Sequence, residues 1–180
     1  MIQLNSYSKV IHSLKNKLNF SQEKLNKISL FVDLVLSYNK EKNLIGKSTE
    51  KDIWSRHVLD SAQIVKFIDF YKGNGVADLG SGAGFPGIIL AIFNPNYTFH
   101  VKLYEKSAIK CNFLRNCIKK LSLNAEVHEE NVMNAKIASN LIVCRAFKKM
   151  PELLKISREN ADKTYKIIVL KGKNAEKEIK

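Results

Sequence analysis

Val76-Ala77-Asp78-Leu79-Gly80-Ser81-Gly82-Ala83-Gly84-Phe85-Pro86-Gly87 joins an apolar run, three closely spaced glycines and a Phe-Pro-Gly tail. The run from Val76 to Leu79 predicts a short buried strand. The glycines at 80, 82 and 84 predict a turn, and Pro86 opens a helix, because its missing N–H costs nothing in a first helical turn. Strand, glycine turn and helix together frame a nucleotide-type cofactor site. Asp78 selects the cofactor. A dinucleotide would lay its pyrophosphate over the turn and the helix N-terminus, where a carboxylate repels it. The dinucleotide fingerprint is also spaced G-x-G-x-x-G, whereas this chain reads G-x-G-x-G. S-adenosylmethionine carries no phosphate, and its sulfonium and α-ammonium are cationic. The segment therefore predicts a methyl-donor site built on Asp78, Gly80 and Gly82.

Downstream, strands and helices alternate. Strands are predicted near 76–79, 98–104, 125–128, 141–144 and 167–170, and helices near 86–93, from Ser107 to Leu121 and from Pro151. Such alternation predicts an α/β fold, Rossmann-like, with a mostly parallel sheet covered by helices on both faces. Ligands in such sheets bind beyond the carboxyl ends of the strands. Gly80, Glu105, Asn131 and Arg145 all follow strand ends.

Upstream, residues 21–39 predict an amphipathic helix capped by Ser21, with Leu25, Ile28, Phe31, Val32, Val35 and Leu36 at helical spacing. A weaker helix is expected from Tyr7 to Lys17. Residues 38–46 predict a polar loop closing at Gly46. Thr49-Glu50-Lys51-Asp52 predicts a capping box, with Asp52 where Glu is usual, opening a helix through His57 and Asp60. Residues 1–72 are expected to form a helical cap and 73–180 the α/β core of a single domain.

The chain has 180 residues, 45% of them hydrophobic, enough for one sizeable core. No apolar run is long enough to span a bilayer, and residues 1–20 show no signal-peptide core; a cytoplasmic protein is expected. Cys111, Cys117 and Cys144 match no metal motif and predict buried thiols in a reducing compartment. Thirty Lys and Arg against 17 Asp and Glu give a net charge of +13. Drift toward A-rich codons explains Lys in place of Arg, but not so wide an excess of bases over acids. The excess predicts a polyanionic partner, most simply nucleic acid.

Glu105 closes the second strand, where an acid accepts the hydroxyls of an adenosine ribose. Arg145 follows the fourth strand, at the height of a cofactor carboxylate or a substrate phosphate. Asn131 and Val132 follow the third, where backbone amides meet an adenine ring. Phe85 and Phe147 flank this edge as stacking or core residues. His57 and Asp60 share a helix face, either as an acid–base pair or substrate contact, or as a hydrogen-bonded tie holding the cap to the sheet. Lys148-Lys149 is the better placed basic pair, just beyond Arg145.

With these residues assembled, nearly the whole chain resembles the bacterial 16S rRNA guanine-N7 methyltransferase family, also called the glucose-inhibited division B family. Tyr38-Asn39-Lys40-Glu41-Lys42-Asn43-Leu44 resembles its W-N-K-x-x-N-L. Trp54-Ser55-Arg56-His57-Val58-Leu59-Asp60-Ser61 resembles W-x-R-H-x-x-D-S. Asp78 to Gly87 resembles D-x-G-S-G-A-G-F-P-G, and Cys144-Arg145-Ala146-Phe147 resembles S-R-A-F. Phe113-Leu114-Arg115 and Leu170-Lys171-Gly172 add weaker matches.

The resemblance implies a class I methyltransferase fold, S-adenosylmethionine as donor, and N7 of a guanine in the decoding-region loop of small-subunit rRNA as acceptor. It places Gly80, Phe85, Asn131, Val132 and Arg145 at the cofactor; Asp78, Gly82 and Glu105 join them on the physical argument. Asn43, His57 and Lys148 are expected at the substrate edge. No catalytic acid or base is expected, since guanine N7 carries a free lone pair. The partners implied are 16S rRNA and the small ribosomal subunit, with no membrane and no metal, and a monomer is expected. The chain departs from the family in four ways. The R-A-E adenine loop reads Glu130-Asn131-Val132, Ile45 replaces a Thr, Tyr38 replaces the leading Trp, and the sequence stops at Lys180, where a closing pair of strands is usual; either the sequence is truncated or its sheet ends on an exposed edge. An NAD-linked oxidoreductase and a non-catalytic rRNA-binding assembly factor are the alternative readings.

Overall fold

The computed structural model describes residues 2–145, 147–161 and 165–171, and the side chains from Tyr7 onward. Ala146 and Gly172, each part of a motif above, lie outside the described residues. Five strands form one parallel sheet: β1 (Gly75–Leu79), β2 (His100–Glu105), β3 (Ala125–Glu129), β4 (Leu141–Arg145) and β5 (Lys166–Leu170). Their order across the sheet is β3-β2-β1-β4-β5. The order reverses between β1 and β4, so the switch point lies where Asp78 pairs with Val143.

Period-2 alternation sorts the sheet's side chains onto two faces. Val76, Val101, Leu103, Leu141 and Val143 join one apolar cluster. Ala77, Leu79, Tyr104, Ile142 and Cys144 join the other. The first face is covered by α5 (Gly87–Phe93) and α6 (Ala108–Leu121), and the second by α7 (Met150–Asn160). The central strand β1 is buried throughout, as a strand covered on both faces must be. All three cysteines are free and buried.

The amino-terminal residues pack over the first face. Helix α1 (Ile2–His12) comes first, followed by α2 (Gln22–Lys42) and the short α3 (Lys47–Glu50). As expected, the Ser21 hydroxyl caps α2 by accepting from the Lys24 amide at 3.3 Å. Phe31 and Val35 of α2 share one cluster with Ile88 of α5 and Phe113 of α6, so cap and sheet share a core.

Two local expectations are corrected. Helix α2 runs through Lys42 and is ended by Asn43 in the left-handed region, φ 48°; the polar loop therefore begins later than expected, and Asn supplies the turn that Gly46 was expected to close. The capping box at Thr49 does not form. The Thr49 hydroxyl instead donates back to the Gly46 carbonyl at 2.8 Å, and the segment Trp54–Leu59 winds as wide π-type turns before α4 (Asp60–Ala62).

Candidate functional site

The glycine turn is held rigidly from below. The amides of Gly80 and Ser81 both donate to the Tyr104 carbonyl of β2, at 2.9 and 3.0 Å. The Gly82 amide donates to Glu105 Oε2 at 3.0 Å, and Ser107 donates its amide to Glu105 Oε1 at 2.9 Å. Glu105 thus ties the turn to the start of α6 while keeping lone pairs for further donors. Gly80 has φ +73°, and a Cβ there would stand 2.3 Å from the Phe147 ring, so only glycine fits. At Gly82 a Cβ would meet nothing closer than 3.8 Å; the chain leaves room there for a ligand to approach the backbone.

Asp78 sits beneath this turn, 1% exposed. Its Oδ2 accepts the Gly87 amide at 3.0 Å, pinning the first turn of α5. A Cβ on Gly87 would fall 2.6 Å from that oxygen and 2.3 Å from Leu103, so glycine at 87 is what allows the contact. Asp78 Oδ1 is buried without a hydrogen-bond partner among the described residues. Burial, with the charge of Glu105 adding to it, pushes the carboxyl up to about 7, opposed only in part by the nearby Ser81 hydroxyl, the Gly87 amide and the charge of Arg145; that hydroxyl donates to the Asp78 main-chain carbonyl at 3.0 Å. A buried acceptor lacking a donor strongly favours a cation or N–H group beside it.

Arg145, at the end of β4, fastens the cap to the sheet. One nitrogen donates to the Arg56 carbonyl at 3.0 Å and lies 3.6 Å from Asp60 Oδ2. The other donates to His57 Nδ1 at 2.5 Å. His57 Nε2 faces the Thr49 hydroxyl at 2.9 Å. Since Nδ1 accepts and the Thr49 hydroxyl already donates to Gly46, the proton belongs on Nε2. Burial and the neighbouring Arg145 and Arg56 push His57 down to about 4, so the ring is neutral at physiological pH. His57 and Asp60 do not pair with each other; each reaches the same guanidinium. The hydrogen-bonded tie is the reading that the geometry bears out.

The other predicted residues divide. Phe85 is buried, its ring 5.0 Å from Phe31 and 5.1 Å from His57, with the Arg145 guanidinium 5.4 Å over it; the ring is closed as a stacking platform for a base. Phe147 does reach the glycine turn, against Gly80. Asn131 is exposed and its side chain accepts the Met133 amide at 3.1 Å. Val132 is buried, and its carbonyl accepts from Asn160 at 2.6 Å. Asn43 is the α2 cap, away from the strand ends in its hydrogen bonding. Lys148 pairs with Glu152 at 2.6 Å one turn along. Sequence reasoning missed Thr49 and Gly87. Gly87 stood inside the quoted motif, and its closeness to an acid on the preceding strand was the available signal; nothing local marks Thr49 as the partner of His57.

A family model for rRNA small subunit methyltransferase G matches residues 24–180. A protein of Pelagibacter ubique with the name Ribosomal RNA small subunit methyltransferase G is 42% identical over 169 residues, covering 91% of this chain and 78% of that one. Its namesake from Rickettsia akari is 36% identical over 154 residues, covering 86% and 78%. Among solved structures, a Plasmodium falciparum protein-L-isoaspartate O-methyltransferase in complex with S-adenosyl-L-homocysteine aligns with TM-score 0.51 at 18% identity, covering 91% of this chain and 82% of that one. That likeness shows the Rossmann-like class I methyltransferase fold.

Proposed function

The chain belongs to the rRNA small subunit methyltransferase G family, and from that premise we propose that it methylates N7 of a guanine in the decoding-region loop of small-subunit rRNA. It is a methyltransferase that uses S-adenosylmethionine. The observation that carries the site assignment is the buried Asp78 Oδ1 without a partner, beside a glycine turn with open space at Gly82. This donor-hungry carboxylate fits a cationic cofactor and repels a pyrophosphate.

The residues divide the work. Asp78 faces the cofactor's positive end. Glu105, already fixed by two amides, offers its remaining lone pairs to ribose hydroxyls. The main chain at Asn131 and Val132 borders the adenine, Phe85 contributes its main chain, and Gly80 and Gly82 allow close approach. Arg145 meets the cofactor carboxylate from the position in which His57, Asp60 and Arg56 hold it. S-adenosylmethionine supplies a methyl group on a sulfonium leaving group. The guanine N7 lone pair needs no deprotonation, so the chain has no proton to move in the step, and alignment supplies the rate. The neutral His57 matches this: it orients Arg145 and serves no acid–base role. We further assign Asn43, His57 and Lys148 to the substrate edge, His57 from its contact with Arg145 at the end of β4, Lys148 from its place three residues beyond Arg145, and Asn43 from the family resemblance alone. We take residues 1–72 as the cap and 73–180 as the core of one methyltransferase unit, acting as a monomer in the cytoplasm. Among the described residues no helix is long and apolar enough to cross a membrane, and no group of side chains is arranged to hold a metal.

The test is methylation of small-subunit rRNA lacking the modification, using tritiated donor, with the label mapped by cleavage chemistry selective for 7-methylguanine. One labelled guanine in the decoding-region loop, absent with Asp78→Ala, is the expected result. Label at another base or atom, or none despite cofactor binding, refutes the acceptor.

A further inference from the structure

The amino ends of the strands, opposite the glycine turn, carry a second unusual surface. Three aromatic side chains stand in solvent there: Phe67 at 63%, Tyr71 at 73% and Tyr97 at 85% exposure. Burying such rings is strongly favourable, and clustered exposure of them marks an interaction site. The cluster belongs to two turns that are locked together. Phe70 is buried between them, its ring 5.3 Å from Phe93 and 5.1 Å from Phe99. Asn96 donates its side-chain amide to the Phe70 carbonyl at 2.9 Å, and Asn124 donates to the Tyr97 carbonyl at 2.6 Å. The Tyr71 amide is held by Asp69 at 3.1 Å. The hydrogen-bonded turns thus display Phe67 and Tyr71 along an open groove of about 660 Å³ that includes Pro95 and Lys166. A second groove of about 470 Å³ shares Pro95 and continues past Tyr97 to Lys24 and Lys27.

Lysines interleave with the rings. Lys66 and Lys166 line the first groove with Asp69 as its one acid, Lys166 also donating to the Phe67 carbonyl at 2.8 Å. Lys24 and Lys27 line the second with Glu23 as its one acid; Lys24 donates to the Phe93 carbonyl at 2.5 Å and Lys27 pairs with Glu23 at 3.4 Å, so the proposed phosphate contacts are on the first groove. Lys72 stands beside Tyr71, in an exposed pair with Asp69 at 3.6 Å. Lysine is depleted from the apolar centres of protein interfaces, so this mixture argues against a second protein. Exposed rings with basic side chains between them form a platform for single-stranded nucleic acid, whose bases stack while its phosphates meet cations.

We propose that this face is a second rRNA-contacting surface, on which unpaired nucleotides stack on Phe67, Tyr71 and Tyr97 while Lys66, Lys72 and Lys166 meet their phosphates. The proposal rests on the rRNA reading of the function and adds a site remote from the chemistry. The strands are five or six residues long, so the face stands about 17 Å from the glycine turn, at 3.3 Å per residue. An rRNA that reaches both must pass around the molecule's side. The platform therefore contributes to substrate affinity and not to the methyl-transfer step.

The experiment compares the wild-type chain with Phe67→Ser/Tyr71→Ser/Tyr97→Ser and with Lys66→Glu/Lys72→Glu. Binding and methylation of deproteinised small-subunit rRNA are measured beside S-adenosylmethionine affinity and molecular mass in solution. Expected is a tenfold or greater rise in rRNA Kd and in KM for both variants, with kcat, cofactor affinity and thermal midpoint unchanged and a shallower salt dependence for the lysine variant. Wild-type values for rRNA in both variants overturn the surface while leaving the acceptor reading intact. A change confined to molecular mass overturns it in favour of a second copy of the chain. A wild-type chain that binds no rRNA overturns the surface and the acceptor reading together.

Discussion

At the carboxyl ends of β1, β2 and β4 this protein hides charge, and at the amino ends it exposes rings. Asp78 is 1% exposed and Glu105 7%, whereas Tyr71 is 73% and Tyr97 85% exposed. Each arrangement is unfavourable alone, and each is held by hydrogen bonds that leave little freedom. The carboxyl end presents buried, fixed charges suited to one small ligand of defined charge pattern. The amino end presents broad, sequence-tolerant contact area suited to a long polymer. Precision at one end and area at the other is the division of labour expected of an enzyme whose cofactor is small and whose substrate is large.

Gly87 is the position at which the carboxyl end tolerates change least. Gly87→Ala puts a Cβ 2.3 Å from Leu103 and 2.6 Å from Asp78, an overpacking that costs roughly 2–3 kcal/mol and dislodges the amide from Asp78. Urea unfolding should show the loss, and cofactor binding should vanish. Tyr97→Ser, at the other end, should shift stability by no more than about 0.5 kcal/mol. Equal effects at the two ends would erase the distinction.

Next comes Arg145, whose fork reaches Arg56, His57 and Asp60. Arg145→Met should cost about 1.5–3 kcal/mol, the scale for a hydrogen-bonded charge, and weaken cofactor binding roughly tenfold. Arg145→Lys should not restore it, because a single ammonium cannot hold three divergent partners. Calorimetric titration of both variants checks this.

Asp78 and His57 carry opposite pH signatures. The Asp78 carboxyl is held at about 7 against 3.8 in an open chain. The folded protein therefore keeps a proton that the unfolded chain releases, and its stability falls as pH rises from 3.8 to 7. His57 is held at about 4 against 6.5; here the unfolded chain binds the extra proton, and stability falls as pH drops from 6.5 to 4. The two slopes oppose each other in the wild type. Asp78→Asn should leave stability climbing between pH 4 and pH 6.5, and His57→Gln should leave it declining over the same window. Urea midpoints across that window read out the sign, and the same sign in both variants would contradict the assignment.

Much of the frame was legible because it is local. The strand–turn–helix at 76–87, the strand ends at Glu105 and Arg145, and the Ser21 cap follow from patterns within a few residues. What escaped is long-range or conformational. Arg145 meets His57 and Arg56 across 88 and 89 residues, and no local pattern encodes that pairing. Phe85 reads as an edge residue by position, but the cap closes over it. The capping box failed because Thr49 found a better use, bridging Gly46 and His57. Asn43 was in principle legible, since Asn tolerates the left-handed conformation that ends a helix.

The smallest expected effect lies at Asn43. Asn43→Gly keeps the left-handed cap and should change stability by only a few tenths of a kcal/mol, while Asn43→Ala should cost about 1 kcal/mol. If Asn43 also touches rRNA, methylation kinetics with the Gly variant should show a raised KM at wild-type stability; unchanged kinetics would assign it to capping alone.

The proposed cofactor site turns on whether Asp78 meets the positive end of S-adenosylmethionine. The most direct measurement is S-adenosylmethionine affinity for the wild type and Asp78→Asn as pH is raised toward and past 7. Because binding a cation expels the proton that Asp78 holds at about 7, wild-type affinity should rise roughly tenfold per unit below that point and then level off. The Asn variant should bind more weakly and without that slope. Equal, pH-independent binding by both would contradict the account.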